Sequence, residues 1–241
     1  MSTVIALVRS LAVYVAIVGY TLVAGPLALA VAVPFRLKGL LFEVGHLGAR
    51  IALGIPGIRF HVSGREHVPR GRAVVFCSNH ESNVDPPVLF EALHPRLHIL
   101  YKAGIRRVPI LGTALDIGGF VPVDRQNREQ SVAAIDRAAE AIRAGDSFLI
   151  FPEGTRSRTG ELLPFKKGGF VMAIKAQAPI VPVAIHGGRD AMRKGSALVY
   201  PADVSVRIGA PVETTGMTLD DRDALVATVR ERIEALRRQD R

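Results

Sequence analysis

The chain has 241 residues, 49% of them hydrophobic and 22% charged, which suits one α/β domain with a proper core and one additional segment, without a second full domain. Its formal net charge of +9 favours a partner that carries phosphate groups, whether an anionic membrane, a phosphorylated substrate or nucleic acid. The single cysteine, Cys77, excludes an internal disulfide framework and a cysteine-rich zinc site, so a reducing compartment is expected.

Residues 1–57 are predicted to form a membrane-associated helical segment. Residues 10–35 contain no charged side chain, and this run exceeds the roughly 20 apolar residues that cross a bilayer core. A signal peptide is the alternative, because the stretch ALAVA offers small residues for cleavage. Gly25-Pro26 interrupts the run with a residue that lacks a backbone donor, so the pattern allows a kinked span or a shallow helical hairpin in one leaflet.

Residues 36–55 place apolar side chains at helical spacing, with polar residues between them. Such a helix either packs on the domain core or lies at the membrane interface, where Arg36, Lys38 and Arg50 would meet anionic head groups. Its position directly after the long apolar run favours the interface.

Short apolar runs alternate with amphipathic stretches from residue 58 to residue 241. We therefore predict one α/β domain over 58–241, in which helices flank a largely parallel or mixed sheet. The predicted strands are Arg59–Val62, Ala73–Cys77, Leu97–Tyr101, Gly119–Val123, Phe148–Phe151, Ile180–Ile185 and Val204–Ile208. The predicted helices are Pro86–Leu93, Pro109–Leu115, Arg128–Ala144, Gly168–Gln177 and Leu219–Arg237.

Polar segments follow four of the predicted strands. Parallel strands gather such segments at one edge of the sheet, beyond their carboxyl ends, where α/β proteins bind ligands. That edge would hold a histidine, two acids and several guanidinium groups, which together indicate a phosphorylated substrate. The residues concerned are His80, Asp85, Arg125, Glu153, Arg156 and Arg158.

Each of these residues also has a simpler interpretation. Asp85 before two prolines is suited to cap a helix N-terminus, and His80 could be an ordinary loop histidine. The arginines could be solvated surface charges, and Glu153-Gly154-Thr155 could be a turn. Their joint placement after successive strands favours a functional site.

Other chemistries have little support in the sequence. It contains no nucleotide phosphate loop and no G-x-S-x-G elbow, and a metal site would have to be assembled from His80, Asp85 and distant ligands, so neither a cofactor nor a metal is predicted. Cys77, Ser78 and Ser82 lie close to His80 in the chain, which leaves a serine or cysteine hydrolase as an alternative.

Four ordered motifs resemble those of the 1-acylglycerol-3-phosphate acyltransferases, also called lysophosphatidic acid acyltransferases. NHESNVD, Asn79–Asp85, resembles the N-H-x-x-x-x-D motif of glycerolipid acyltransferases, and FPEGTRS, Phe151–Ser157, reproduces the family's second hallmark. The middle motif is matched between Lys102 and Arg125, and LPFKKGGFVMAI with PIVPVAI resembles the last blocks. One departure is Pro122 in VPVDR, which predicts a short, edge or bulged strand.

The resemblance implies a role for each motif residue. His80 would be the general base and Asp85 its orienting acid, without an acyl-enzyme. Arg125 and Arg156 would hold the substrate phosphate, and Glu153, Gly154 and Thr155 would belong to the same pocket. The implied reaction transfers an acyl chain from acyl-CoA or acyl carrier protein to the 2-hydroxyl of 1-acyl-sn-glycerol 3-phosphate, forming phosphatidic acid.

The same resemblance implies a location at the cell membrane, with the catalytic domain on the cytoplasmic side. The implied partners are the lysophosphatidic acid lipid, the acyl thioester and an anionic membrane surface, and no nucleic acid. Three alternatives stay open: another lysophospholipid or glycolipid acceptor, a lipid hydrolase, and a non-catalytic module that binds anionic membranes.

Overall fold

The computed structural model describes residues 3–93, 96–124 and 127–239. It confirms the predicted α/β fold, with helices on both faces of one sheet. The strands are β1 Ile58–Ser63, β2 Val75–Ser78, β3 Leu97–Lys102, β4 Val121–Val123, β5 Ser147–Ile150, β6 Ile180–His186 and β7 Ala202–Ile208. The α-helices are α1 Thr3–Phe35, α2 Lys38–Gly54, α3 Asp85–Leu93, α4 Leu111–Ile117, α5 Arg128–Arg143, α6 Gly168–Ala176, α7 Gly188–Ala191 and α8 Arg222–Arg238.

The sheet is mixed and has the strand order β1-β7-β6-β2-β5-β3-β4. Strands β6, β2, β5, β3 and β4 are parallel to one another, whereas β7 runs antiparallel to β6 and carries β1 parallel to itself. The loops that follow β2, β4, β5 and β6 therefore emerge at one edge of the sheet, as the sequence predicts. We call this edge the catalytic rim.

Two apolar clusters fill the space on the two faces of the sheet, because side chains of a strand alternate between faces. In and beside β2, Val74 and Phe76 join one cluster, whereas Val75 and Cys77 join the other. The first cluster is covered by α3 and the end of α2, and the second by α5, α6 and α8. Both faces are thus closed, and the catalytic rim is the place where polar loops gather.

The departure at Pro122 has the predicted structural outcome. Strand β4 has three residues and pairs only with β3, at the edge of the sheet, where Pro122 lies opposite Tyr101. An edge strand tolerates a residue without an N–H because one of its sides needs no partner.

Helix α1 runs through Gly25 and Pro26 without interruption and ends at Phe35, so the predicted alternative of a hairpin within this run is wrong. Within the described residues, Val4–Phe35 is the one helical stretch whose length and apolar composition would suffice to cross a membrane. Most of its large apolar side chains are exposed.

Helix α1 is also fastened to the rest of the chain at several points. The Ser10 hydroxyl accepts a hydrogen bond from Val199 N at 2.8 Å, and the Tyr14 hydroxyl donates to Ala197 O at 2.7 Å. Fifteen residues after Ser10, Gly25 packs closely against the Ile110 side chain. The helix consequently lies along the α/β domain rather than projecting from it.

Helix α2 presents one face to the domain. Its buried residues Phe42, His46, Ala49 and Leu53 repeat at helical spacing, while Leu47 remains exposed. The buried face of α2 therefore packs on the domain, which is the first of the two alternatives predicted for residues 36–55.

Candidate active site

His80 and Asp85 form a hydrogen-bonded pair at the catalytic rim. His80 is the second residue after β2, and its Nδ1 lies 2.9 Å from Asp85 Oδ2. Asp85 is fully buried, whereas the His80 side chain keeps 16% of its surface exposed and stacks on Phe151 with a centroid separation of 4.1 Å. A carboxylate on Nδ1 fixes the ring as its Nδ1–H tautomer and leaves Nε2 as the basic nitrogen.

The Asp85 carboxylate does not cap the helix that it begins. Oδ2 accepts hydrogen bonds from Glu81 N at 2.6 Å and Ser82 N at 2.7 Å, both in the loop before α3. Pro86 and Pro87 have no N–H to offer a cap, so the carboxylate turns to the preceding loop instead. The prediction that the Asp85 carboxylate caps the N-terminus of the helix is therefore wrong, because its hydrogen-bond donors precede that helix in the chain.

The other carboxylate oxygen of Asp85 is enclosed without a polar partner. Oδ1 is buried and has no hydrogen bond within the described part of the chain. The main chain of Gly188, at the start of α7, packs directly against it, and a Cβ there would overlap the oxygen. The space for the Asp85 carboxylate therefore depends on residue 188 being a glycine, which has no side chain.

Asn79 determines where the loop of residues 79–84 between β2 and α3, which we call the catalytic loop, leaves the sheet. Its side-chain amide donates to Ile185 O at 2.8 Å and accepts from Ile185 N at 2.8 Å. These two bonds join the end of β2 to β6 through a side chain. The main chain of His80 bonds to Glu153 and Ser157 instead of the sheet, and its side chain contacts Asp85.

Glu153 supports His80 through the main chain. Its Oε1 accepts from His80 N at 2.8 Å and its Oε2 accepts from Leu163 N at 2.9 Å. Burial raises the pKa of the Glu153 carboxyl, and the two N–H donors oppose that shift. Because both oxygens accept from the chain itself, the geometry favours an organising role over direct contact with an anionic substrate.

The remaining residues of the FPEGTRS segment lie in the loop after β5. Gly154 has a φ of +68°, a conformation that glycine adopts without strain, and Lys166 packs across it. Thr155 Oγ1 accepts from Lys194 Nζ at 3.1 Å, and the same ammonium donates to the Arg156 carbonyl at 2.8 Å. The Arg156 side chain is half-buried beside this loop. Arg125, the other arginine predicted to hold phosphate, lies outside the described residues.

Glu81 adds a second buried acid to the catalytic loop. Burial, followed by repulsion from Asp85, raises the pKa of Glu81 to about 7. Arg237 and Arg189 oppose this shift, and Arg237 Nη2 lies 3.6 Å from Glu81 Oε1.

An apolar cavity of about 270 Å³ opens beside the pair, beyond the carboxyl ends of β3, β4 and β5. Phe151 lines it and also stacks on His80, so the cavity and the histidine share one side chain. Its other apolar lining residues include Leu100, Val123, Ile135 and Ile150. A larger cavity of about 460 Å³ lies at the opposite end of β2 and β5, away from the catalytic rim.

The nucleophiles of the hydrolase alternative are engaged elsewhere. The Ser78 hydroxyl donates to Asn79 O at 3.0 Å, and the Ser82 hydroxyl donates to Met192 O at 2.7 Å, both in buried positions. Burial raises the pKa of the Cys77 thiol, which keeps it protonated on β2. The geometry therefore leaves none of these three side chains for His80 to activate.

Sequence reasoning missed Lys194, Arg230 and Arg237, which contact the loop of the second motif. Each reaches main-chain carbonyls of residues 156–163. A carbonyl is present at every residue and has no sequence signature, so no pattern could have identified these contacts.

The comparisons with known proteins agree with this geometry. The sequence model described as Acyltransferase matches residues 59–186. The 1-acyl-sn-glycerol-3-phosphate acyltransferase alpha of Mus musculus is 34% identical over 176 residues, and the Homo sapiens protein is 34% identical over 175 residues. These alignments cover 72% of this chain, and the chain spans 62% of the length of either relative.

A solved structure is similar over nearly the whole chain. The crystal structure of the 1-acyl-sn-glycerophosphate (LPA) acyltransferase PlsC from Thermotoga maritima superposes with a TM-score of 0.84 at 25% identity, covering 98% of this chain and 95% of that chain. The residues matched by the family run from β1 to the end of β6 and include both segments that form the His80 site, so the chain belongs to the acyltransferase family.

Proposed function

We propose that the protein transfers an acyl chain from an acyl thioester to the 2-hydroxyl of 1-acyl-sn-glycerol 3-phosphate, forming phosphatidic acid. The observation that carries this proposal is the His80–Asp85 pair at 2.9 Å, next to the arginine-bearing loop of Phe151–Ser157. A general base beside a phosphate-binding loop suits an acceptor that has both a hydroxyl and a phosphate group.

In the proposed reaction, His80 Nε2 removes the proton of the acceptor hydroxyl while the oxygen attacks the thioester carbonyl. The Asp85 carboxylate at Nδ1 stabilises the imidazolium that forms, and a positioned base of this kind contributes about 10²–10⁴-fold. Collapse of the tetrahedral intermediate breaks the C–S bond, and the proton passes from the imidazolium to the thiolate. No acyl-enzyme is formed.

The acceptor phosphate is assigned to the arginine-bearing loops. Arg156 is half-buried in the loop after β5, and a guanidinium matches the bidentate geometry of phosphate. Lys194, held over Thr155 and the Arg156 carbonyl, adds a second positive charge at the same place. Gly154 and Thr155 form the loop itself, and Arg125 keeps its proposed role in phosphate binding from its position in the motif.

The apolar cavity beside Phe151 is assigned to an acyl chain. Its lining is mostly aliphatic and aromatic, and it borders the side chain on which His80 stacks. A chain bound there would place its ester or thioester end near the histidine.

Membrane association is assigned to residues 1–57, and catalysis to residues 58–241. A 33-residue helix is about 50 Å long, longer than the roughly 30 Å hydrocarbon core. Because α1 is fastened to the domain at both Ser10 and Gly25, it fits a helix embedded along one leaflet better than one that crosses the bilayer.

The surface next to α1 has the composition of a membrane contact. Ile105, Val108 and Leu111 are exposed in the segment that follows β3, and Ile110 between them packs on Gly25 of α1. Arg106 and Arg107 lie in the same segment and would meet anionic head groups. The thioester donor, acyl-CoA or acyl carrier protein, would then arrive from the cytoplasmic side.

The reaction is tested with the purified full-length protein in mixed vesicles. Lysophosphatidic acid, other lysophospholipids and glycolipid acceptors are each offered with acyl-CoA and with acyl carrier protein, and products are identified by mass spectrometry. We expect phosphatidic acid from lysophosphatidic acid. Transfer only to another acceptor would refute the specific assignment, and fatty acid released without any acceptor would support a hydrolase.

Membrane association is tested by flotation with vesicles that contain or lack anionic lipid. A variant with Leu11, Val15 and Leu22 of α1 changed to Ser should float less well than the wild type. Val132→Ser is the matched control, since Val132 is exposed to 48% on α5, away from α1. Equal flotation of all three proteins would contradict the assignment to α1.

A further inference from the structure

The main chain of His80 is held at both its N–H and its carbonyl by the loop of the second motif. His80 N donates to Glu153 Oε1 at 2.8 Å, and the His80 carbonyl accepts from Ser157 N at 2.8 Å. The position of the imidazole therefore depends on where residues 153–157 lie. What fixes that loop in turn is the C-terminal helix α8.

One route leads from His80 N to Arg230. The second oxygen of Glu153 accepts from Leu163 N at 2.9 Å. Arg230 donates to Leu163 O at 2.8 Å and to Leu162 O at 3.2 Å, and its guanidinium lies 5.2 Å from the ring centroid of Phe165. Arg230 and Glu153 thus hold Leu163 at its two main-chain polar groups.

A separate route leads from the His80 carbonyl to Arg237. Ser157, whose N–H donates to that carbonyl, accepts through its hydroxyl from Gly160 N at 3.0 Å. The Gly160 carbonyl accepts in turn from Arg237. The same guanidinium lies 3.6 Å from Glu81 Oε1, in the residue that follows His80.

The two arginines are arranged to act together. They are seven residues apart on α8, about two helical turns, so they extend from one face of the helix. The helix itself is anchored by Leu225, Val229 and Ile233, which are buried against the sheet. These apolar contacts dock α8 without the arginines. Apart from the ion pair of Arg230 with Glu234 on the same helix at 3.0 Å, the two guanidinium groups reach the carbonyls of residues 160–163 and the Glu81 carboxyl.

We propose that Arg230 and Arg237 are positioning residues for His80, which hold its main chain in register through Glu153 and Ser157. The inference rests on the proposed function where the readout is acyl transfer. It assigns to the C-terminal helix, which lies beyond the four motifs and beyond residues 59–186, a part in the geometry of the catalytic base.

The test compares Arg230→Gln and Arg237→Gln with Arg232→Gln in the full-length protein. Arg232 is the matched control, because it lies on the same helix and donates to two carbonyls, Ala210 O at 3.0 Å and Pro211 O at 3.3 Å, away from the catalytic loops. We expect kcat to fall about tenfold to hundredfold in Arg230→Gln and Arg237→Gln, with KM and the melting temperature near wild type, because small displacements of a catalytic group are costly. Arg232→Gln should keep the wild-type kcat.

Amide hydrogen exchange at His80 and Leu163 gives a readout that does not depend on activity. Exchange at both amides should be faster in Arg230→Gln than in the wild type and unchanged in Arg232→Gln. Glu153→Gln combined with Arg230→Gln should lose less activity than the two single changes predict, since both act on one route. Arg230→Lys, which keeps a donor but not the fork, should recover part of kcat.

Failure of the positioning role and failure of the proposed acyltransferase function give different results in these experiments. An active wild type whose kcat and His80 exchange are unaffected by Arg230→Gln and Arg237→Gln would overturn the positioning role. A wild type without acyl transfer would refute the function, while exchange at His80 would still decide the positioning role. If Arg230→Gln does not fold, Arg237→Gln and Arg230→Lys are judged by the same criteria.

Discussion

Two histidine–carboxylate pairs in this molecule have nearly the same local geometry. His80 contacts Asp85 and stacks on Phe151 at 4.1 Å, and His46 contacts Glu91 at 2.5 Å and stacks on Phe90 at 4.2 Å. Both carboxylates belong to α3. A histidine with an acid and an aromatic ring is therefore not sufficient to identify a catalytic base.

The pairs differ in what surrounds the carboxylate. Asp85 is fully buried, and the same oxygen that contacts His80 accepts two main-chain N–H groups. Glu91 instead shares its second oxygen with Arg50, and the pair joins α2 to α3. The His80–Asp85 pair thus places a buried carboxylate against an imidazole just beyond the end of the parallel strand β2. The His46–Glu91 pair instead connects the two helices α2 and α3.

The largest expected difference between the pairs is in activity after loss of the histidine. His80→Gln should lower kcat by about 10²–10⁴-fold, because the proposed general base is removed. His46→Gln should keep kcat and lower the free energy of unfolding by about 1–2 kcal/mol, because a charge-assisted contact is lost. Initial rates and urea unfolding of both variants measure this. A comparable fall in kcat for His46→Gln would break the distinction.

Loss of the carboxylate charge is expected to have the next largest effect. Asp85→Asn should reduce kcat on the order of 10²-fold or more, since an amide neither stabilises the imidazolium nor fixes the tautomer. Glu91→Gln should leave kcat unchanged. The melting temperature is measured alongside, and a loss of activity in Asp85→Asn that merely followed unfolding would favour a structural role.

The buried Glu81 carboxyl beside the His80–Asp85 pair makes the free energy of unfolding depend on pH. Because the pKa of Glu81 rises from 4.5 to about 7 on folding, the folded protein holds a proton that the unfolded chain releases, and stability falls as pH rises through this interval. Glu81→Gln should therefore gain about 3 kcal/mol relative to wild type between pH 4.5 and 7. Urea unfolding across this range measures the difference, and parallel curves for the two proteins would contradict the prediction.

The smallest expected effect concerns the glycine next to each pair. Gly188→Ala should lower kcat about tenfold, because the methyl group would overlap Asp85 Oδ1 and crowd Ser82. Gly45→Ala would bring a methyl group 3.6 Å from Phe90, an ordinary contact, and should raise stability by about 0.5–1 kcal/mol in the middle of α2. Equal activity of the two variants would mean that Asp85 has more room than the packing indicates.

The sequence was sufficient to predict the strands and all helices but the short α7, Gly188–Ala191, and to group the loops at one edge. The seven described strands lie where short apolar runs predict them, because burial leaves a local signature, on both faces in β2, β5 and β6 and on one face in β1 and β7. The reversed direction of β7 was not predictable in this way, since it depends on pairing with β6 and not on its own residues.

The parts of the site that could not be predicted are long-range contacts. His80 and Asp85 are five residues apart and were identified from one segment. The contacts of Glu153 with His80 N and Leu163 N join residues separated by up to 73 positions through main-chain donors, which have no pattern. The two prolines predicted where α3 begins, but not that the carboxylate of Asp85 would turn away from it.

The two hydrogen bonds between the Asn79 side chain and the main chain of Ile185 attach the catalytic loop to the sheet. A primary amide has an NH2 donor group and a carbonyl acceptor, so with one N–H and its oxygen Asn79 pairs with Ile185 as a peptide group would and extends the hydrogen bonding of the sheet by one position without using its own backbone. An aspartate of identical shape would set an oxygen against the Ile185 carbonyl. Replacing the NH2 group by an oxygen would thus remove one of the two bonds that attach the loop to β6.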